Sequence, residues 1–222
     1  PGSQLPNPNL SWETSTTFNS GIDFGLFKNR ITGSVDYFKT RTTDLLTDIS
    51  LPGLGGYTNT ITNGGETENH GLEVLLTGNI VRNQNVNWSI TTAFTTYRNK
   101  IVKTGVVGVN GEQKDDLGRN RFVGQPINNI RTYLFDGIFQ TDAEAQASAQ
   151  GTLGGTVNPF QNPTGLVAGA IKLKDVNGDG VINDNDNVVV ATDPKWFGSV
   201  SSSVAYKNFD LLADVYIVDG SM

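Results

Sequence analysis

The sequence contains no cysteine, a single histidine and no basic run longer than two residues. The first absence excludes disulfides and thiolate metal sites. A net charge of −6 without basic clusters excludes a nucleic-acid surface, because phosphate recognition needs gathered Lys and Arg. No apolar run approaches the roughly 20 residues of a transmembrane helix. The chain opens PGSQLPNPNL, without a charged head and apolar segment, so no signal peptide is expected in it. None of this excludes a membrane crossed by strands, whose sequence signal is far weaker.

Charged residues make up only 17% and hydrophobic residues 36%, so the remaining polarity is Ser, Thr, Asn and Gln, with 26 Gly. That mixture suits strands with one wet face. Its 222 residues allow one large β domain or two small ones.

Period-two alternation is what the chain has in place of apolar runs. From Trp12 to Leu26, Trp12, Thr14, Thr16, Phe18, Ile22, Phe24 and Leu26 share one face. Glu13, Ser15, Thr17, Asn19, Gly21, Asp23 and Gly25 share the other. A turn at Lys28-Asn29 leads to Ile31, Val35 and Tyr37, which predicts an antiparallel hairpin. A second hairpin runs from Leu72, Val74, Leu76 and Ile80 through VRNQN to Val86, Trp88, Ile90 and Phe94. A third runs from Val200, Val204 and Tyr206 through Lys207-Asn208 to Phe209, Leu211, Ala213, Val215 and Ile217.

Between these hairpins lie long segments, about Leu46 to Glu68, Lys103 to Gln125 and Gln140 to Lys195. Short turns at one end and long loops at the other are the rhythm of an outer-membrane barrel. Aromatics near strand ends (Trp12, Phe27, Tyr37, Trp88, Trp196, Tyr206, Phe209) suit an interfacial girdle. About seven or eight strands are expected, too few for a wide pore, so the chain reads as part of something larger.

The stretch KDVNGDGVINDND, residues 174 to 186, has the spacing of a calcium loop. Asp175, Asn177 and Asp179 would supply side-chain oxygens, and Gly180 permits the sharp turn. Val181 would offer its carbonyl, Asn183 would bind directly or through water, and Asp186 takes the twelfth position. Asp186 is one methylene shorter than the usual Glu there, which implies a weak structural Ca²⁺ site, with affinity on the order of 10⁻³ to 10⁻⁴ M. Strand-like flanks, GAIKLK and NVVVAT, replace the usual helices. The plainer reading is a solvated turn closed by Asx hydrogen bonds.

Other candidates are weaker. His70 sits in ETENHGLEV with no nucleophile motif around it, and reads as a polar side chain at a loop edge. Glu66 and Glu68 could be drawn as a glycosidase pair but carry no further support. The glycines of 53–56 and 151–155 lack the phosphate-loop pattern and read as loop tips. DAEAQASAQG, residues 142 to 151, predicts a short helix capped at Thr141. Tyr57, Tyr133, Phe135 and Phe160 could stack on sugar rings or pack loops together. No catalytic constellation emerges, and an enzyme is not expected.

NPNLSWETSTTFNSGIDFGLFKNRITGSVDYFKTRTTDLL resembles a barrel segment of SusC/RagA-type TonB-dependent outer-membrane transporters. TNGGETENHGLEVLLTGNIV, YLFDGIFQTDAEAQ, GAIKLKDVNGDGVINDND and DPKWFGSVSSSVAYKNFDLLADVYI resemble later segments in the same order. The resemblance covers most of the chain, apart from about 104 to 120 and 146 to 166. It implies that residues 1–222 are part of the C-terminal half of a 22-stranded transmembrane barrel with long extracellular loops. The plug domain, TonB box and last strands would lie outside the segment. It further implies a bacterial outer-membrane location, TonB-driven import of a glycan or oligopeptide, and a SusD-like lipoprotein partner.

The competing expectation is a soluble calcium-stabilised β module of an adhesin or carbohydrate-binding protein. The two differ in where Ile22, Phe24, Val35, Leu72, Val74, Trp88, Ile90, Val204 and Val215 point. A barrel gives them to lipid, and a sandwich buries them under a second sheet.

Overall fold

Six long strands account for most of the ordered chain: β1 (Thr14–Leu26), β2 (Ile31–Ser50), β3 (Asn59–Arg82), β4 (Val86–Thr104), β5 (Trp196–Tyr206) and β6 (Phe209–Asp219). The structure is a computed structural model that describes residues 4–51, 55–148, 152–153, 156–157 and 167–220. The long strands lie side by side in the order β6-β5-β4-β3-β2-β1, and every neighbouring pair is antiparallel. Gln4–Leu5 adds a short parallel strand against Asn59 and Thr60. The chain divides into two compact units, Pro1–Asn129 with Ala191–Met222, and Ile130–Val190.

Three tight connections close one end of the sheet. Phe27, Lys28 and Asn29 take left-handed φ values of 53°, 56° and 62° in succession, so β1 reverses into β2 within four residues. The Asn83 carboxamide accepts from the amides of Asn85 (2.9 Å) and Val86 (2.8 Å), an Asx turn that fixes the β3–β4 reversal. Lys207, at φ 54°, makes the turn between the paired Tyr206 and Phe209. At the opposite end β2 and β3 join through residues 51–58, and β4 reaches β5 only after residues 105–195.

Register turns the six alternations into two continuous faces. Ile22, Val35, Val74, Phe94, Gly198 and Ile217 form one row across all six strands. Phe24, Gly33, Leu76, Thr92, Val200 and Val215 form the next. Tyr37 and Leu72 lie above them, and Trp88, Val204 and Leu211 below. All nine side chains expected to face lipid are therefore on one face. The opposite face carries Gly21, Asp36, Glu73 and Thr95 in one row and Gly25, Thr32, Thr77, Thr91, Ser201 and Asp214 in another. Hydroxyl pairs tie its strands together, Ser15–Thr42 at 2.8 Å, Thr17–Thr40 at 3.0 Å and Thr77–Thr91 at 3.0 Å. The 11 residues of β5, ending at Trp196 and Tyr206, match the length a tilted strand needs to cross a bilayer.

The strands outrun their apolar pattern. Residues 46 to 68, expected as a long loop, are mostly strand, because β2 runs to Ser50 and β3 begins at Asn59. TNTITNGGETEN is polar on both faces, so it carries no hydrophobic period, yet its backbone still completes the ladder. Trp12 and Glu13 precede β1 rather than starting it.

In the second unit Asn129–Tyr133 pairs with Asn187–Ala191, and Phe135–Ile138 with Ile171–Leu173. The expected helix is there as α1 (Asp142–Ala147), with the Thr141 hydroxyl accepting from the Glu144 amide at 3.1 Å. Phe139 and Ala145 are fully buried and pack with Ala170. Phe160 lies outside the described residues, as do parts of both glycine-rich segments.

Candidate functional site

Two separate candidate sites stand out: the polar face of the sheet with the segment that follows β4, and the loop 175–186 of the second unit. Low on that face Thr17, Asn19, Asp36, Phe38 and Glu73 line a shallow concavity of about 400 Å³. Gly21 leaves room there for the Asp36 carboxylate, which would have to turn aside for a Cβ at that position.

Higher up, the segment after β4 folds back. Its backbone is tied to β4 by Ile101 N to Gln125 O (2.9 Å) and Gly124 N to Ile101 O (2.8 Å). It carries a 3₁₀ turn, Leu117–Arg119, that ends at Asn120 with φ 51°. A cavity of about 260 Å³ opens between this turn and the strands, lined by Leu45, Thr47, Thr67, Ile101, Arg119, Asn120, Arg121 and Ile127 among others. Arg119 anchors the turn through Asp48 (2.9 Å), Ser50 (3.0 Å) and Asp116 (3.5 Å). The Arg119 guanidinium holds the Asp48 carboxyl below its ordinary range, with help from Asn59. Arg121 also lines the cavity, but among the described residues it forms no ion pair. Its charge adds to the lowering of the Asp48 carboxyl.

The loop 175–186 belongs to the second unit. The Asp175 carboxylate accepts from Gly178 (2.6 Å) and Gly180 (2.7 Å). Asn177 accepts from the Asp179 amide and donates to the Asp179 carboxylate, both at 2.9 Å. Asp179 accepts from Val181 (2.8 Å), and Asn183 from Asn185 (2.8 Å). Asp186 is fully buried and accepts from Val176 (2.9 Å) and Asn183 (2.8 Å). The amides of Asn183, Val176 and Asn177 hold its carboxyl below the usual range, against its burial. Each carboxylate oxygen that accepts one N–H keeps a further lone pair, so the donor chemistry suits Ca²⁺. The carboxylates are not gathered into a cage, however: among the described residues no three acidic or histidine side chains converge as a metal site would require.

The remaining sequence candidates lie elsewhere. His70 stands on the apolar side of the sheet, between Lys39 and Arg98 in register. Glu66 and Glu68 are on that side too, each bridged to two cations. Tyr133 reaches Asp184 at 3.3 Å, and burial raises its pKa. Tyr57 and Phe135 are exposed.

A family model described as "TonB dependent receptor-like, beta-barrel" matches residues 1–216. The chain belongs to this family. Members are bacterial outer-membrane barrels, so the apolar face is the lipid face and the short turns lie at the periplasmic end. The soluble-module expectation is thereby overturned, since lipid rather than a second sheet covers that face. TonB-dependent receptor P26 of Formosa agariphila is 31% identical over 209 residues, 92% of this chain and 20% of that protein. TonB-dependent receptor SusC of Bacteroides thetaiotaomicron is 28% identical over 92% of this chain and 19% of its own length. The solved structure of the RagAB peptide importer in its open-open state superposes with a TM-score of 0.68 at 24% identity, over 99% of this chain and 22% of that one. The chain thus spans about a fifth of the length of these receptors.

Sequence reading singles out neither Arg119 nor Arg121, because GRNR lies where the alternation stops. The available signal was charge at i and i+2 beyond an apolar strand, as in Lys39–Arg41, Glu66–Glu68 and Arg98–Lys100.

Proposed function

We propose that this chain forms part of the wall of a TonB-driven importer that passes a glycan or oligopeptide across the outer membrane chemically unchanged. The whole protein would act with a SusD-like surface lipoprotein over its open end. TonB would engage it through a part that lies outside this segment. One observation carries the reading: six strands in continuous register, with one face apolar through the band from Tyr37 and Leu72 to Trp88 and Val204 and the other mixing hydroxyls and a few carboxylates with aromatic rings. Two further facts support it, the kinship to SusC and the likeness to the RagAB peptide importer.

Within the wall, the cavity beside Arg121 would receive a solute carboxylate, which favours a peptide over a neutral glycan. The test is uptake of labelled oligopeptide and labelled oligosaccharide by cells carrying the full-length receptor, with and without TonB. Peptide uptake that vanishes without TonB and drops about tenfold in Arg121→Gln is expected, the value of one charge-assisted contact. Oligosaccharide uptake unaffected by Arg121→Gln would reassign the solute. Uptake unaffected by TonB would overturn the importer reading itself.

We also propose that the loop 175–186 takes Ca²⁺ weakly as a structural clamp. Asp175, Asn177, Asp179, Val181, Asn183 and Asp186 would be its ligands. Calorimetry on the full-length protein should show a saturable calcium heat in the millimolar range that Asp179→Ala removes. No heat, or heat unchanged in the variant, would leave the loop as a self-closed turn.

A further inference from the structure

The face turned away from lipid carries four rings that continue one another from strand to strand. Phe38 on β2, Tyr97 on β4, Phe197 on β5 and Tyr216 on β6 all occupy inward positions. Phe38, Gly71 and Tyr97 share one row. A Cβ at Gly71 would stand 2.6 Å from the Phe38 ring, so the missing side chain is what lets that ring lie across β3. From Tyr97 the line steps one row toward the tight turns at each strand. Tyr97 and Phe197 meet edge-on at 6.4 Å between ring centres, and Phe197 and Tyr216 lie 6.5 Å apart. These rings have no lipid to cover them, and Tyr216 is 67% exposed.

The charges on the same face have one sign. Its inward rows, from that of Thr32 and Asp214 up to that of Thr40 and Asn99, hold Asp23, Asp36, Glu73 and Asp214. The same rows hold no Lys or Arg. Among the described residues none of these carboxylates forms an ion pair. Asp36 and Glu73 stand directly opposite each other across β2 and β3, an arrangement that like charges make unfavourable. Both line the concavity of about 400 Å³, whose wall includes Phe38. A cation seated there would relieve the repulsion and lie against an aromatic ring. Lys and Arg side chains join such a charge to an apolar stem, which suits the rings beyond.

We propose that this wall is a track for basic oligopeptides, which engage it through their Lys and Arg side chains. Phe38 with Asp36 and Glu73 forms the seat for one such side chain. Tyr97, Phe197 and Tyr216 continue it with ring surfaces along which further side chains pack. A neutral sugar would stack on the rings but leave the carboxylate pair uncompensated, and an acidic peptide would meet only like charge. The inference rests on the importer reading and narrows its solute from peptides in general to basic ones. It uses neither Arg121 nor the loop 175–186.

The experiment measures binding of labelled hexapeptides to the purified full-length receptor at physiological ionic strength. The peptides share one sequence except at two central positions, which are both Lys, both Gln or both Glu. The Lys peptide is expected to bind about tenfold tighter than the Gln peptide, and the Glu peptide more weakly still. Asp36→Asn combined with Glu73→Gln should erase most of that preference, and Phe38→Leu should reduce it about threefold. Every variant is first shown folded by its heat-shifted gel mobility. Equal affinity for the Lys and Gln peptides, or a preference unchanged in the carboxylate double variant, would overturn the proposal. A labelled neutral oligosaccharide that binds more tightly than the Lys peptide, and loses affinity in Tyr97→Leu, would overturn it in favour of sugar stacking. Phe38→Leu and Tyr97→Leu receptors that melt earlier yet keep the full Lys preference would overturn it too, assigning the rings to packing within the receptor. Binding to the purified receptor needs no TonB, so uptake that ignores TonB counts against the importer reading alone.

Discussion

At the scale of single residues, Glu66 shows how this sheet handles charge. It lies above the apolar band, and Lys103 first, then Arg41, hold its carboxyl below the ordinary range although burial opposes this. A depressed folded-state pKa gives stability that is fully present above the unfolded value, about 4.3, and is lost as pH falls through the folded value. Glu66→Gln should therefore destabilise the receptor at pH 7 by about 1 to 2 kcal/mol, a range reduced because both cations are half exposed. In denaturant titrations the gap between variant and parent should close below about pH 4. A gap that is the same at pH 7 and pH 3 would show that the carboxylate charge contributes nothing. Glu66 was legible in the sequence only as an acidic residue at a loop edge. Its partners come from strands 25 and 37 residues away, and pairing register, not spacing, brings them together.

At the scale of elements, the hairpins were legible because lipid imposes strict alternation on each crossing strand. Depth and face can be tested separately on β5. Val200 points to lipid near the middle of the strand, and Ser201, at the same depth, faces inward beside Asp214. Val200→Lys should cost about 2 to 4 kcal/mol, and Ser201→Lys under about 1, measured by urea unfolding of the vesicle-embedded receptor. Equal costs would contradict the assignment of faces. The upper halves of β2 and β3 were not legible, since no lipid imposes a pattern above the membrane and both faces stay polar. The α1 helix was legible from its cap, Thr141, because capping is local chemistry. The strands Asn129–Tyr133 and Phe135–Ile138 were missed, as neither has the length to show a period.

At the scale of the whole molecule, the sheet is a wall whose outermost strands, β1 and β6, each leave one edge unpaired among the described residues. Such edges are aggregation templates unless neighbouring strands cover them. The native polypeptide should therefore run on gels as a far larger species whose mobility shifts on boiling. A species of this chain's size, soluble without detergent, would contradict the membrane reading. The calcium loop was legible as a motif but not in its role, because the same aspartates that could ligate a cation also close Asx turns. Titration with the ion separates these roles.

The stem of the long excursion has one more consequence. Asn129–Tyr133 and Asn187–Ala191 pair side by side, so the chain leaves for residues 134–186 and returns through adjacent strands. The entropy of closing that excursion is met at its own base rather than by the wall. The segment is thereby an exchangeable cassette: a lineage can replace it, residue by residue or wholesale, without re-registering a single strand of the six-stranded sheet.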